Sequence, residues 1–300
     1  MSQKNCYYCK NKCSLYLKSS NKKANKKFNF TSTEANTYNN EIKPDLFFCH
    51  DCEIIFSEFI DEKFENNYIE VLDDLYISQL KNKKLYFKNL IVKLSNIINK
   101  NHDVLELGAY YGAFGSEIKN KVNSYVGVEL SSHACEYAKK NFNLNIQNSN
   151  IYDFFETNKK KFDTIFLFDV IEHLDDPDAI INICSKNLKQ NGNLVLSTMN
   201  MDSLVAKLTG KYYPWIIPMH KFYFTNKSIR KYLSKNHLKL NKTMGDVRII
   251  SLEYLFLKMS QKIKIIKPLY NFIIRFDKLK NLIIKFSLFD INIYLASKKD

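Results

Sequence analysis

Short apolar runs alternate with longer amphipathic segments through the middle of the chain. The runs cover residues 103–108, 124–130, about 144–147, 162–168 and 193–198. Each is too short for a helix and is bounded by Gly, Asn or Asp, as the buried strands of a parallel sheet usually are. Strands that alternate with helices predict an α/β fold built on a doubly wound parallel sheet.

The segments between these runs carry helix signals. Ser131 is placed to cap the helix after the second run, and Asp176 followed by Pro177 begins another helix. We expect that second helix to end near Asn191 and Gly192, because glycine is common just beyond a helix C-terminus.

The regions on either side of the sheet also have a pattern. Apolar residues recur at helical spacing between residues 61 and 99, which predicts linking helices. Residues 290–296 alternate between polar and apolar, as an antiparallel strand does. Between them, residues of about 247–289 are basic and apolar by turns. We expect a helical insertion there that packs on the domain or lies on an anionic membrane surface.

One stretch, DVLELGAYYGAFG at residues 103–115, joins a strand to a glycine turn. Glycines at the carboxyl end of a strand let backbone N–H groups approach a ligand closely. The carboxylate of Glu129, at the tip of the next strand, can accept both hydrogens of a ribose diol. Tyr110 stands where a dinucleotide site needs its middle glycine, and no G-x-x-x-x-G-K-[ST] loop is present. The pattern predicts a nucleoside site.

Glu106, Gly108 and Gly112 resemble the first motif of the class I S-adenosylmethionine-dependent methyltransferases. The segment 162–177 is similar to that family's fourth strand and following helix. This sequence departs from the family at Tyr110, where many members carry glycine. The resemblance implies a Rossmann-like, mostly parallel seven-stranded sheet and S-adenosylmethionine as the cofactor. It also implies a set of cofactor-binding residues: Glu106, Gly108, Ala109, Tyr110, Gly112, Glu129, Leu130, Asn150, Ile151 and Asp169.

The first 60 residues contain two C-x-x-C pairs, Cys6 with Cys9 and Cys49 with Cys52. Four thiolates at this spacing complete the tetrahedral shell of a structural Zn²⁺ and leave no position for a catalytic water. Cys13 is an alternative ligand, and reduced surface thiols are the alternative to a metal site. The layout resembles methyltransferases that begin with a zinc ribbon. We expect a ribbon-like segment at 1–60, linking helices at 61–99 and the catalytic domain at 100–300, with a flexible loop at 18–40.

Residues 203–245 carry nine Lys or Arg and no Asp or Glu. A cationic segment interleaved with aromatic residues can hold an anionic acceptor, such as a sugar nucleotide, a lipid-linked glycan or RNA. Lysines that merely solvate a surface are the alternative. Residues 214–225 resemble the P-x-H-x-x-x-F-[ST] segment that covers the acceptor site of small-molecule methyltransferases, and Thr225 would cap a helix at 226–236.

Methyl transfer to a hydroxyl requires removal of a proton, and imidazole exchanges protons near neutral pH. His220, in the cationic segment, is the preferred catalytic base, and His173 is the second candidate; His173 could instead brace the following loop. Asp169, at the tip of the fourth strand, would orient the methionine ammonium group or the acceptor, or else bond the backbone of its own turn.

The composition narrows the function. The chain has 300 residues and a net charge of +14, and no apolar run reaches about 18 residues. The N-terminus lacks a signal-peptide core, so we expect a cytoplasmic protein. The sequence favours O-methylation of a small anionic acceptor, a saccharide or a nucleotide- or lipid-linked precursor. An RNA methyltransferase and a non-catalytic zinc-ribbon scaffold are the alternatives.

Overall fold

A computed structural model describes residues 4–19, 43–59 and 72–298 of the chain. The loop expected at 18–40 lies almost entirely outside these residues, as does the first part of the linking region, 61–71. Within the described part, no helix is both long and apolar enough to cross a membrane.

The strands in chain order are β1 (Ser14–Leu17), β2 (Leu46–Cys49), β3 (Ile54–Ser57), β4 (Asp103–Leu107), β5 (Ser124–Glu129), β6 (Ile146–Asn148), β7 (Phe162–Phe168), β8 (Leu188–Met199), β9 (Phe222–Tyr223), β10 (Leu238–Gly245), β11 (Arg248–Ser251), β12 (Ile283–Phe286) and β13 (Ile291–Lys298). The α-helices are α1 (Asp74–Ser78), α2 (Leu80–Lys93), α3 (Ala113–Ile118), α4 (Ser132–Phe142), α5 (Ile151–Thr157), α6 (Pro177–Asn187), α7 (Leu204–Thr209), α8 (Asn226–Lys235), α9 (Leu252–Lys262), α10 (Lys267–Ile273) and α11 (Asp277–Lys280).

A seven-stranded sheet with the order β10-β13-β8-β7-β4-β5-β6 forms the centre of the molecule. Strands β4 to β8 are parallel, and β13 and β10 run antiparallel to their neighbours. β4 is buried along its whole length, which explains why its sequence is a continuous apolar run around Glu106. The predicted doubly wound, mostly parallel seven-stranded sheet is confirmed. Its strands end at one edge, where open α/β sheets bind their ligands.

The expected helix starts are present. The side chains of Ser131, Asp176 and Thr225 each accept a hydrogen bond from the first turn of the helix they cap. The expected end of α6 near Asn191 and Gly192 is wrong, because the helix stops at Asn187 and β8 begins at Leu188.

Burial accounts for this difference. Leu188 is fully buried and pairs with Phe162 on β7, and the strand register then shifts before Asn193 pairs with Thr164. Asn191 has a φ of +59°, so the Asn-Gly pair forms an irregularity inside the strand rather than a helix cap.

The region expected as a helical insertion lies between β10 and β13. Helices α9, α10 and α11 are present, but the insertion also contains a two-stranded antiparallel ladder, in which Arg248 pairs with Phe286 and Ser251 with Ile283. Each of these strands has only four residues, too few for a period-two pattern to stand out from the surrounding helices.

A second, four-stranded sheet has the order β1-β2-β3-β9. Its first three strands come from the cysteine-rich N-terminal segment, and β9 comes from the region that was expected to cover the acceptor. Cys49, Ile54 and Phe56 share one hydrophobic core with Leu105 of β4 and Phe222 of β9. The N-terminal segment is therefore packed directly on the layer that covers the main sheet.

Candidate active site

The loop after β4 has the backbone shape that close approach of a ligand requires. Gly108 and Gly112 both have a φ of +76°, and the N–H of Gly108 donates to the carbonyl of Val128 at 2.8 Å. A Cβ on Gly108 would lie 2.4 Å from Cγ2 of Val170, so only glycine fits. Tyr110 has a φ of +45°, so this loop keeps a glycine-like conformation where the sequence departs from the family.

The carboxylate of Glu129 faces this loop. Its Oε2 accepts a hydrogen bond from the N–H of Tyr110 at 2.8 Å, and its Oε1 accepts one from the N–H of Ser131 at 2.8 Å. Burial raises the pKa of Glu129. Each carboxylate oxygen has a second lone pair, so this orientation leaves the acceptor capacity that a ribose diol would use.

The other predicted cofactor residues surround Glu129. The side chain of Asn150 accepts from the N–H of Tyr152 and so caps the helix that begins at Ile151. The carbonyl of Leu130 accepts from Asn148 at 2.8 Å, which holds the end of β5 against β6. Ala109 is buried, and its N–H also donates to Val128.

Glu106 has a partner inside the protein. The hydroxyl of Tyr125 donates to its Oε2 at 2.5 Å, and burial raises the pKa of Glu106 to about 8. One carboxylate oxygen of Glu106 is therefore engaged from within the sheet.

The linking helices cover this loop, which the sequence did not predict. The hydroxyl of Tyr110 donates to Oδ2 of Asp73 at 2.8 Å, and the ring of Tyr76 meets that of Tyr110 edge-on at 4.6 Å. Burial raises the pKa of Tyr76, and the nearby carboxylates of Glu106, Asp73, Asp169 and Glu129 add to this shift. The helical spacing predicted α1 but carried no signal for what its tyrosine would cover.

Asp169 lies where β7 ends, at the same edge of the sheet. Its Oδ1 accepts from the hydroxyl of Ser197 at 2.7 Å, and its φ is +54°. This bond holds the carboxylate of Asp169 against the end of the neighbouring strand β8.

The two candidate bases lie together although they are far apart in sequence. The rings of His173 and His220 have centroids 4.7 Å apart at an angle of 69°. Nδ1 of His173 lies 3.2 Å from the carbonyl of Met219, and Nδ1 of His220 lies 2.8 Å from the carbonyl of Trp215. A carbonyl only accepts, so in each ring Nδ1 carries the hydrogen and Nε2 has a free lone pair.

Both imidazoles are held in the neutral form. Burial lowers the pKa of His173, and burial together with the neighbouring His173 lowers that of His220 well below its usual value. A neutral ring with a free Nε2 is the form that can accept a proton. The pair therefore has the chemistry of a general base.

Glu172 completes this cluster. It is buried, its Oε2 accepts from the hydroxyl of Thr198 at 3.0 Å, and burial raises its pKa to about 8. Donor atoms of Glu172, His173 and His220 lie within 4.8 Å of one another, a spacing that could also hold a cation. The two histidines can accept a proton without a cation bound to this cluster.

Comparison with known proteins shows which family this architecture belongs to. Residues 78–242, more than half of the chain, match the family model described as "Methyltransferase domain". The chain belongs to this methyltransferase family. With its sheet order and glycine loop, it is a class I enzyme that uses S-adenosylmethionine.

Two curated relatives are O-methyltransferases. The ubiquinone biosynthesis O-methyltransferase of Pelagibacter ubique is 29% identical over 173 residues, which cover 54% of this chain and 72% of the relative. That of Glaesserella parasuis is 29% identical over 106 residues, which cover 32% of this chain and 45% of the relative. The second match thus spans less than half of that relative's length.

Two solved structures are similar in fold. A methyltransferase from Thermotoga maritima, described as a possible histamine N-methyltransferase, has a TM-score of 0.49 and 16% identity, covering 79% of this chain and 98% of its own. N-methyltransferase NodS from Bradyrhizobium japonicum, in complex with S-adenosyl-L-homocysteine, has a TM-score of 0.45 and 14% identity, covering 72% and 86%. The family assignment depends on the domain match.

A further carboxylate of the methyltransferase lies at the same edge of the sheet. Asp246 directly follows β10, and its N–H donates to Ile291, whose own pair on β8 is Met199, the last residue of that strand. Within the described residues, Oδ1 of Asp246 is buried without a hydrogen-bond partner. Burial and the charge of Asp169 raise its pKa. Sequence reasoning missed Asp246, because a single Asp after a strand is a common turn residue.

The cationic segment lies differently from what was expected. Of its nine basic residues, Lys221 is buried and faces Asp175. Lys211 is half-buried, and the others are exposed; Lys227, for example, forms an ion pair with Glu53. The expected cationic wall of the acceptor site is thus a cationic outer surface.

The four predicted metal ligands come together. Sγ of Cys6 lies 3.7 Å from that of Cys52, Sγ of Cys9 lies 3.5 Å from that of Cys49, and all four lie within 4.8 Å of one another. A tetrahedral Zn²⁺ with bonds of about 2.3 Å separates its sulfurs by about 3.8 Å, so the thiols fit this ion. Cys13 instead directs its thiol to the carbonyl of Asn11.

Proposed function

We propose that this methyltransferase transfers a methyl group to a hydroxyl of a small molecule, with His220 as the base. The observation that carries the proposal is the pair of neutral imidazoles, His173 and His220, on the turn after β7 and the segment that precedes β9. The O-methyltransferase names of the curated relatives support oxygen as the acceptor atom.

The cofactor residues divide into three roles. We assign the ribose to Glu129, the adenine to Asn150 and Ile151 with Leu130 beside them, and the methionine end to the loop from Glu106 to Gly112 together with Asp169. Bound S-adenosylmethionine supplies an electrophilic methyl group on its sulfonium. The buried residues around it hold the acceptor in line and exclude water.

In this proposal, a histidine accepts the proton that the acceptor hydroxyl loses. Nε2 of His220 accepts the proton of the acceptor hydroxyl, while its Nδ1–H stays bonded to the carbonyl of Trp215. Such a bond fixes the tautomer and the orientation of the ring. His173 is the neighbouring ring, held in the same way by Met219, and it supports the position of His220. General base catalysis of this kind contributes about 10²- to 10⁴-fold to the rate.

The charges favour an acceptor with an uncharged reacting end. The carboxylate of Asp169 lies near both His173 and Asp246, whereas the basic residues of 203–245 other than Lys211 and the buried Lys221 face outwards. A saccharide suits this division, because its hydroxyls can donate to Asp246. In a nucleotide- or lipid-linked precursor the phosphates would lie outside, at the lysines.

Incubation with labelled S-adenosylmethionine and a panel of sugars, sugar nucleotides, lipid-linked sugars and RNA tests this assignment. We expect label on an oxygen of a hydroxylated small molecule, and His220→Ala should lose nearly all of the rate. Label on RNA alone, or full rate in His220→Ala, would refute the proposal. A requirement for added Mg²⁺ or Mn²⁺ would indicate that the Glu172 cluster holds a cation.

The insertion offers a surface for an anionic membrane. Its apolar side chains include Ile265, which is 85% exposed, and Phe272, which is 51% exposed. Residues 246–300 carry eleven Lys or Arg against five acidic residues. Exposed apolar side chains among lysines are typical of surfaces that bind anionic lipid.

Sedimentation with vesicles tests this membrane surface. Phosphatidylglycerol vesicles should bind the protein and phosphatidylcholine vesicles should not. Ile265→Asp with Phe272→Asp should abolish this binding, whereas Val92→Asp, at an exposed apolar position on α2, should not. Equal binding of all three proteins would rule out the insertion as the site.

We also propose that Zn²⁺ occupies the four thiols of Cys6, Cys9, Cys49 and Cys52 as a structural ion. The distances between the thiols support this assignment. With this ion in place, we propose that the chain divides into a ribbon at 1–60, linking helices at 61–99 and a catalytic domain at 100–300.

A further inference from the structure

We propose that the zinc ribbon positions His220, so that loss of the metal displaces the base while the cofactor site stays intact. This inference depends on the proposed roles of the four thiols and of His220. It concerns the part of the chain between the acceptor segment, residues 213–224, and the N-terminal strands.

The ribbon is hydrogen-bonded to the acceptor segment directly beside the base. β3 pairs with β9, with Ile55 opposite Tyr223 and Phe56 opposite Phe222. The N–H of Ser57 donates to the carbonyl of Lys221 at 2.9 Å. Lys221 is the residue immediately after His220, so the backbone next to the base is fixed by a strand of the ribbon.

The opposite side of this segment is bonded to the turn that carries the other histidine. The N–H groups of Lys221 and Phe222 donate to the carbonyl of Glu172 at 2.9 and 3.2 Å. The segment therefore lies between the ribbon and the Glu172–His173 turn. β9 itself has only two residues, which cannot form a stable strand without a partner.

The two tyrosines between the first pair of cysteines pack on β9. Tyr8, between Cys6 and Cys9, stacks on Phe222 with ring centroids 5.9 Å apart, and Tyr7 meets Phe222 edge-on at 6.1 Å. Phe222 is fully buried. A second link lies farther along, where the buried Lys43 donates to the carbonyl of Tyr213 at 2.9 Å.

The metal matters because the ribbon is small. β1, β2 and β3 have four residues each, and so short a sheet does not supply enough buried surface to fold alone. In such segments the free energy of metal binding is the free energy of folding. Without the metal, we expect β3 to lose its place. Residues 213–224 then lose their bonds to the ribbon and keep those to Glu172, Met201 and Asp290.

The cofactor loop has other supports. Its hydrogen bonds go to Val128 and Glu129 on β5 and to Asp73 before α1. None of these residues belongs to the ribbon. Affinity for S-adenosylmethionine should therefore survive a change that displaces His220.

Removal of one ligand provides the first test, with Cys49→Ser as the variant and Cys13→Ser as the matched control. Trp215 is the single tryptophan, and its carbonyl holds Nδ1 of His220, so its emission reports on the segment. We expect Cys49→Ser to lose zinc, shift the Trp215 emission maximum and lose at least about tenfold in kcat. Its Kd for S-adenosylmethionine, measured by calorimetry, should stay within about threefold, and Cys13→Ser should match the parent protein.

A second pair of variants leaves the metal ligands in place. Ser57→Pro removes the N–H that bonds Lys221, and Ser57→Ala keeps it. Ser57→Pro should retain zinc yet reproduce the shifted emission, and Ser57→Ala should not.

The inference is refuted if zinc-free protein keeps the emission of Trp215, or if it loses cofactor affinity together with activity. An emission shift without methyl transfer to any acceptor would instead refute the proposed function and leave this inference standing.

Discussion

The proposed site has a cofactor half, around Tyr110 and Glu129, and an acceptor half, around the two histidines. In the cofactor half, the hydrogen bond between Tyr110 and Glu129 joins residues 19 positions apart. In the acceptor half, the hydrogen bond between Lys43 and Tyr213 joins residues 170 positions apart. The first half is a strand, a turn, a short helix and the next strand, and its shape follows from local backbone requirements. The second half brings His173, the segment before β9 and the ribbon together from three distant parts of the chain.

Because the two halves are built differently, we expect mutations in one half to leave the function of the other unchanged. Changes at the glycine loop should act on cofactor affinity, and changes around the histidines should act on turnover.

The largest effect is expected for His220→Ala. Loss of the base should lower kcat by about 10²- to 10⁴-fold, because no other neutral imidazole replaces its Nε2 in the same position. The Kd for S-adenosylmethionine should not change. His237→Ala, at an exposed histidine, is the control and should keep full activity. A large rise in the cofactor Kd of His220→Ala would contradict the division into two halves.

Gly108→Ala should act on the cofactor half alone. An alanine at this position must adopt a left-handed backbone, which costs roughly 1–2 kcal/mol. Its Cβ would in addition clash with the side chain of Val170. We expect the Kd for S-adenosylmethionine to rise by about tenfold or more. Gly210→Ala also has a positive φ but nothing near its Cβ, so it is the matched control for backbone strain. Calorimetry on both variants measures the effect of the clash.

The pH dependence of kcat should report on the buried histidine. Burial and His173 lower the pKa of His220, so the base form persists below the usual imidazole value of 6.5. The acid limb of the kcat profile should therefore fall at a pH below 6.5. In His173→Ala, removal of the neighbouring ring should move this limb upwards. An acid limb above pH 6.5 in the parent enzyme would exclude His220 as the titrating base.

The smallest effect is expected for Tyr110→Phe. This change removes the hydroxyl that donates to Asp73 and keeps the ring against Tyr76. A hydrogen bond of this kind contributes about 0.5–1.5 kcal/mol, so the Kd for S-adenosylmethionine should rise by about two- to tenfold. Tyr212→Phe, at an exposed tyrosine, should leave it unchanged. An unaltered Kd in Tyr110→Phe would mean that the cover by the linking helix does not contribute to cofactor binding.

Local residue patterns were enough to predict the parallel strands, the caps at Ser131, Asp176 and Thr225, and the loop from Glu106 to Gly112. These features depend on local rules, since burial on both faces, a capping oxygen and a positive φ each restrict a few adjacent residues. The cysteine spacing likewise predicted which thiols would meet.

Other features arise from contacts between segments that are distant in the sequence. The tertiary structure places seven of the nine basic residues of 203–245 on the outside and leaves an oxygen of Asp246 buried without a partner among the described residues. It also pairs the ribbon with β9 beside His220. These outcomes depend on which surfaces pack together. The residue pattern of one segment carries no information about the segment that will pack against it. Burial and strand pairing are properties of two partners, whereas a local sequence pattern describes only one of them.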